Sequence, residues 1–353
     1  MIRIKVALLD QDQTYLTRLV NAFNTYYQDK LEVYSFSDKE FALEFITQNR
    51  IDVLLADELI SINPTEIPSR IAFAYMTMMN SVESVNGQKA ICKFQKVDLI
   101  YKEILSVFSE TSPYSMSTSD GTSSKSPLTY FFSVAGGTGA STVAAAYAIN
   151  KAAKGGKPFY LNLELLGGAG TFFKADGNMN LSDIVYALKS KKNNISLKIE
   201  SAVKVSFNGV SFIDSANLAL DVNELNSEDV LTLIDEISSM PNFDEVIIDI
   251  GFGMDELCME IIRRSNKVVA ISDGSDIANY KTFRYIEALR ILEEQSDENL
   301  TSRFRIFYNR FSSNFGKRLT DININTIGGV PRIEGTSSQI VERLATNPQI
   351  EKI

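Results

Sequence analysis

The stretch Ser133-Val134-Ala135-Gly136-Gly137-Thr138-Gly139-Ala140-Ser141-Thr142 has residue types and spacing that suit anion chemistry. Closely set glycines let main-chain amides approach and cup a phosphate. The apolar run TYFFSVA leads into it and reads as a buried strand. The Ala-rich run TVAAAYAINKAAK leaves it and reads as a helix. A helix N-terminus adds unpaired N–H groups and a partial positive charge. The Ser141 hydroxyl would fall where a phosphate-bound Mg²⁺ can use it. A Gly-Gly-x-Gly turn on its own serves equally well as a bare strand-to-helix connection. Its place after a strand, with Ser-Thr and a helix following, favours a nucleotide phosphate.

A second candidate is Phe243-Asp244-Glu245-Val246-Ile247-Ile248-Asp249, an apolar strand pattern that ends in an acid. That is the pattern of a Walker B strand, and it would put Asp249 on the Mg²⁺ shell, directly or through water. With the phosphate loop it makes a two-part nucleotide signature.

Alternating strands and helices must position these residues. LEVYSF, DVLLA, IAFAY and AICKF follow IRIKVALL as strand candidates in the first third, and Tyr15, Leu16, Leu19, Val20 and Phe23 recur at helical spacing. VDLIYKEILSVF closes that region as an amphipathic helix. Later, PFYLNLEL, GVSFID, DEVIIDI, KVVAIS and RFRIFYN read as strands, with LSDIVYALK, EDVLTLIDEISSM and ANYKTFRYIEALRILEE as helices. Such alternation predicts mainly parallel sheets with helices on both faces. Between the two regions, SETSPYSMSTSDGTSSKSPL is rich in Ser and Thr and has no apolar period. It cannot bury enough surface to offset its ordering entropy and reads as a linker. The expected division is 1–108, a linker over 109–128, and 129–353.

Composition excludes several function classes. The 353 residues are 44% apolar and 22% charged, as in globular chains. The formal net charge of −9 disfavours nucleic acid or anionic lipid as a bulk-charge partner. The absence of histidine removes Ser-His-Asp and imidazole–zinc chemistry. Cys92 and Cys258, each inside an apolar stretch, read as buried thiols in a reducing compartment. The charged start MIRIKVALLD is not a signal peptide, and no apolar run reaches the roughly 20 residues of a spanning helix. The expectation is a cytoplasmic protein. The terminal SSQIVERLATNPQIEKI has balanced charge and a proline, and reads as a packed helix and not as a lipid anchor.

The loop resembles the deviant Walker A motif of the ParA/MinD family, Lys-Gly-Gly-x-Gly-Lys-Thr/Ser. Ala135 stands where that motif has its signature lysine, and Ala140 where it has the ordinary phosphate-loop lysine. Gly-Gly-x-Gly-Ala-Ser-Thr is similar instead to the TadZ/CpaE branch of Tad-type pilus assembly. The resemblance implies that ATP and Mg²⁺ are held by residues 135–142 (Ala135, Gly136, Gly137, Thr138, Gly139, Ala140, Ser141, Thr142), with Asp249 and Glu164 completing the metal site. Where the family strand ends in Asp-x-Asp, this chain has Asn162 and Glu164. Glu164 is thus the remaining catalytic candidate, since an amide cannot act as a base. The family also implies an adenine contact at Asn309, with Arg310 beside it among the nucleotide-binding residues, and a flanking segment at Pro331 and Arg332; Arg310, Arg332 and Lys174 are the candidates for a cation that replaces the missing lysines. A cation on the transferred phosphoryl group is worth about 10³–10⁵ in rate. Without the lysines, bound ATP should turn over slowly or not at all.

The first region resembles a response-regulator receiver. Asp57, ending DVLLAD, takes the phosphoacceptor position. Asp10 and Asp12 fall at the acidic pair, whose second acid is Gln11, and Lys93 takes the place of the receiver lysine. The altered pair implies weak Mg²⁺ affinity and an inactive Asp57. MTMMNSVESVNG, between the fourth and fifth strands, lacks a fourth-helix pattern. The resemblance thus implies two doubly wound α/β domains. The first is a receiver-like (flavodoxin-like) five-stranded parallel sheet, and the second a P-loop ParA/MinD-type, mainly parallel sheet. It also implies a homodimer formed around nucleotide, acting as a localisation scaffold for pilus or secretion proteins, at a cell pole. Three rival readings are an active ParA/MinD-type partitioning ATPase, a receiver-driven phosphorelay output protein and a nucleotide-free pseudo-ATPase.

Overall fold

The computed structural model describes residues 3–111, 125–191, 194–296, 298–314, 316–320 and 322–353. It falls into two compact units, Met1–Thr118 with Tyr186–Ala202, and Ser119–Val185 with Val203–Ile353. Most of the expected linker, residues 112–124, lies outside the described residues.

In the first unit the chain runs β1 (Ile4–Leu9), α1 (Gln13–Tyr26), β2 (Leu31–Phe36), α2 (Lys39–Gln48), β3 (Val53–Asp57), β4 (Ala72–Thr77), β5 (Ser84–Val85), β6 (Gln88–Cys92) and α3 (Val97–Thr111). Asp12 starts α1 by accepting from the Thr14 and Tyr15 N–H groups. Leu16, Leu19 and Phe23 then put one face of that helix in the core. The strand order β2-β1-β3-β4-β6 is the doubly wound flavodoxin-like order. The sheet has six strands and not the expected five, because β5 adds an antiparallel edge to β6. Asn86 and Gly87 between them have φ of 51° and 76°, the left-handed pair a two-residue hairpin turn requires. That hairpin occupies the span where a fourth receiver helix would lie, and the link from β3 to β4 carries only a 3₁₀ turn, Pro64–Glu66.

The second unit continues with β7 (Leu128–Phe132), α4 (Ala140–Ala153), β8 (Pro158–Asn162), α5 (Ala169–Phe172), α6 (Leu181–Lys189) and α7 (Ile195–Ala202). Of these, α7 belongs to the first unit, where Leu197 joins the core beside α3. After it come β9 (Lys204–Val205), β10 (Ser211–Phe212), α8 (Ala219–Asn223), α9 (Ser227–Ser239), β11 (Glu245–Asp249), α10 (Glu256–Arg264) and β12 (Lys267–Ser272). The chain finishes with α11 (Asp276–Ser296), β13 (Phe304–Tyr308), β14 (Asn325–Gly329) and α12 (Ser337–Ala345). The sheet order is β14-β13-β12-β7-β11-β8-β10-β9, parallel except at the β9 edge. Parallel strands covered on both faces read as continuous apolar runs, and β7, β8 and β11 are buried throughout. Ala144, Ala145, Ala146 and Ala148 are fully buried, and their small side chains let α4 lie close on the sheet. The apolar side of α12, with Val341 and Leu344, is buried in the same core as α4.

Candidate functional site

β7 and α4 are joined by residues 133–139, the loop picked out by its glycines. Gly137 and Gly139 have φ of 79° and 87°, conformations that favour glycine. Ser133 and Thr138 brace the loop from within. Thr138 Oγ1 donates to Ser133 Oγ at 2.8 Å and Ser133 Oγ to the Ala135 carbonyl at 2.8 Å. α4 then starts with Gly139 as its cap residue and no side-chain cap. The short helices α5 and α8 also lack a side-chain cap, whereas the longer α1, α2, α9, α10 and α12 are each capped by a side chain, from Asp12, Asp38, Asn226, Asp255 and Thr336. An uncapped start leaves the first N–H groups of α4 for an external acceptor.

The acids converge on the first turn of α4. Ser141 Oγ lies 3.2 Å from Asp249 Oδ1 and 3.3 Å from Glu164 Oε2. Strand register brings Asp249 beside Asn162. Asn162 Nδ2 donates to Asp249 Oδ2 at 2.8 Å, and the Tyr160 hydroxyl to the same oxygen at 2.5 Å. Asp249 is buried, and burial followed by the charge of Glu164 raises its pKa to about 6, against the downward pull of the Tyr160, Asn162 and Ser141 hydrogen bonds. Asn162 thus supplies a neutral brace where a second carboxylate would add repulsion. Glu164 itself is exposed.

Among the described residues there is no group of three or more His, Cys, Asp or Glu side chains fit to hold a metal. Magnesium bound with a nucleotide needs less, since one or two carboxylates and the phosphates suffice. Ser141, Asp249 and Glu164 are hard oxygen donors within reach of one another, so they fit that ion.

Asn309 and Arg310 follow β13 and reach the loop. Asn309, which is buried, donates from Nδ2 to the Thr138 carbonyl at 2.7 Å. Arg310 donates from Nη1 to the Gly137 carbonyl at 2.6 Å. The Val330 N–H donates to the Tyr308 carbonyl, so Pro331 and Arg332 leave β14 beside the end of β13, both exposed. Lys174, a further cation of this unit, is also exposed. The Tyr160 contact is absent from the sequence-based expectations. Its signal is the period of two in β8, which places Tyr160 and Asn162 on one face.

In the first unit Asp10, Asp57 and Lys93 meet at the carboxyl ends of β1, β3 and β6, and all three are buried. Lys93 Nζ bonds Asp57 Oδ2 and lies 2.6 Å from Asp10 Oδ2. Burial works against the lysine charge, but the two carboxylates outweigh it and its pKa is raised. The Asp12 carboxylate is spent on the start of α1, and Gln11 is exposed.

The two folds define the class, a receiver fold followed by a fold of the ParA type. A ParA family ATPase from Chlorobium tepidum superposes on 65% of this chain and 96% of its own, at 20% identity and a TM-score of 0.52. The MinC:MinD cell division complex of Aquifex aeolicus covers 64% and 94% at 14% identity and a TM-score of 0.47. MinD of Pyrococcus horikoshii, complexed with Mg-ADP, covers 62% and 94% at 16% and 0.43. No curated protein sequence matches the chain significantly. Residues 2–109 match the family model described as TadZ-like, receiver domain. The chain thus carries a domain that matches the TadZ-like receiver model, followed by a ParA-type fold.

Proposed function

We propose that the protein binds ATP with Mg²⁺, hydrolyses it slowly or not at all, and acts as a nucleotide-dependent scaffold for Tad-type pilus or secretion machinery. The observation that carries this reading is the uncapped start of α4, behind a glycine loop, with Ser141 of its first turn beside Asp249 and Glu164. Loop amides of residues 135–142 and the helix N-terminus hold the phosphates, and the three oxygen donors hold the metal. Asn309, Arg310, Pro331 and Arg332 border the base side. Ala135 and Ala140 leave the loop without the motif's lysines, which lowers catalysis more than binding. A charge-assisted contact contributes roughly 1.5–3 kcal/mol to affinity, which main-chain donors and Mg²⁺ can offset.

A homodimer formed around nucleotide belongs to this proposal. Leu165, Leu166, Phe252, Met254, Ile277 and Tyr280 are exposed apolar residues on the segments that follow β8, β11 and β12, the edge on which the loop lies. Exposed apolar surface beside a site suits a partner surface. The TadZ-like receiver domain supports pilus assembly proteins as the docking partners, with a cytoplasmic location at a cell pole. No helix of the described residues is long and apolar enough to cross a membrane.

The test is equilibrium binding of ATP with and without Mg²⁺, alongside phosphate release. Saturable, Mg²⁺-dependent binding with little turnover is expected. No binding with Mg²⁺ present would sink the reading, and brisk turnover would overturn the scaffold part and favour a cycling ATPase.

A further inference from the structure

Consecutive side chains at the end of β13 each grip a consecutive carbonyl of the phosphate loop: Asn309 holds that of Thr138 at 2.7 Å and Arg310 that of Gly137 at 2.6 Å. A peptide unit is planar and trans, so its C=O and the next N–H point in opposite directions. Fixing the Gly137 oxygen therefore aims the Thr138 N–H, and fixing the Thr138 oxygen aims the Gly139 N–H. Both amides turn away from the β13 side chains. In a loop that grips an anion through main-chain donors, that orientation is the binding determinant. A loop with Ala135 and Ala140 has no lysine of its own to add to the grip.

Two backbone features keep the clasp in place. Arg310 has φ of 59°, a left-handed conformation that non-glycine residues rarely adopt. A Cβ on Gly139 would lie 2.6 Å from Asn309 Nδ2, so only glycine leaves room for the amide. We propose that Asn309 and Arg310 are positioning residues for the triphosphate. They set the Thr138 and Gly139 amides and so contribute to phosphate binding whatever base is attached. This rests on the nucleotide reading above and extends it, because a side chain expected at adenine is also tied to the phosphate loop.

Inorganic triphosphate separates the two roles. Its Mg²⁺-dependent binding to the full chain is measured beside that of ATP, for the wild type and for Asn309→Ala, Arg310→Ala, Arg310→Lys and Arg310→Gly. Asn309→Ala should weaken both ligands about 3- to 10-fold, and Arg310→Ala about 10-fold or more, while Arg310→Lys, which keeps a charged donor, stays within about threefold. Arg310→Gly suits the left-handed backbone and is expected to fold, yet should lose as much as Arg310→Ala. Amide exchange at Thr138 and Gly139 in the ligand-free chain should quicken in the Ala and Gly variants. Variants that bind triphosphate as tightly as the wild type, or leave that exchange unchanged, overturn the proposal, even if ATP is weakened. A wild type that binds ATP but not triphosphate overturns it too. A wild type that binds neither removes the nucleotide reading along with it.

Discussion

Asp249 and Lys93 are buried charges with opposite consequences. Asp249 holds its proton up to about pH 6 because burial, then the charge of Glu164, disfavours the carboxylate. An unfolded Asp ionises near 3.9. The ligand-free fold is thus favoured by this group below about pH 3.9, and the favour is lost as pH rises through 6. Asp249→Asn should therefore raise the stability of the ligand-free second unit at pH 7–8, by up to about 3 kcal/mol, with a gain that shrinks towards pH 4. Thermal melts across pH check this, and the same variant should lose Mg²⁺-dependent ATP binding. Lys93 has a raised pKa, so its contribution is present below about 10.4 and fades as pH rises through its folded-state value. Lys93→Met leaves Asp10 and Asp57 buried together without their cation. We expect a loss of about 3–5 kcal/mol in the first unit, read by denaturant unfolding. With Gln11 in the acidic pair and the Asp12 carboxylate spent on α1, the wild type should take up neither acetyl phosphate nor BeF₃⁻; stoichiometric uptake by mass or fluorescence would revive the phosphorelay reading.

At the scale of elements, the proposed nucleotide site rests on the uncapped start of α4 behind its glycine loop. Gly139→Asp places a side chain at φ of 87° against Asn309 and adds a negative charge where phosphate would sit. ATP affinity should fall at least about 100-fold, since the electrostatic and steric effects act together. Isothermal titration measures it, with circular dichroism to show that the domain is folded. The β5–β6 hairpin is a simpler case. Gly87 has φ of 76° and open space where a Cβ would stand, so Gly87→Ala tests backbone strain alone. It should cost about 1 kcal/mol in the first unit, measured by chemical unfolding. The Asn86-Gly87 pair is a legible hairpin signal in the sequence. AICKF marks β6, but β5, with two residues, is too short to show a period of its own, so a missing helical pattern around the pair does not by itself disclose an antiparallel edge strand.

For the whole molecule, the proposal turns on whether nucleotide brings two copies together. Sedimentation or light scattering with Mg-ATP should show a dimer, and Leu166→Asp together with Phe252→Asp should abolish it while leaving ATP binding by the monomer measurable. A chain that stays monomeric at saturating Mg-ATP would remove the dimer from the scheme.

The sequence by itself determined the two α/β folds, the glycine loop after β7 and the acid ending β11, because each is a local pattern: apolar runs of strand length, glycines at fixed spacing, one acid at a strand end. Only the tertiary structure decided how distant residues share the site. Asn162 and Tyr160 brace Asp249 through the β8–β11 register, Lys93 fills the pocket between Asp10 and Asp57, and Asn309 with Arg310 holds the loop from β13. Those pairings join residues from 36 to 173 positions apart, or depend on which strands are neighbours, and no local period in the chain encodes strand order.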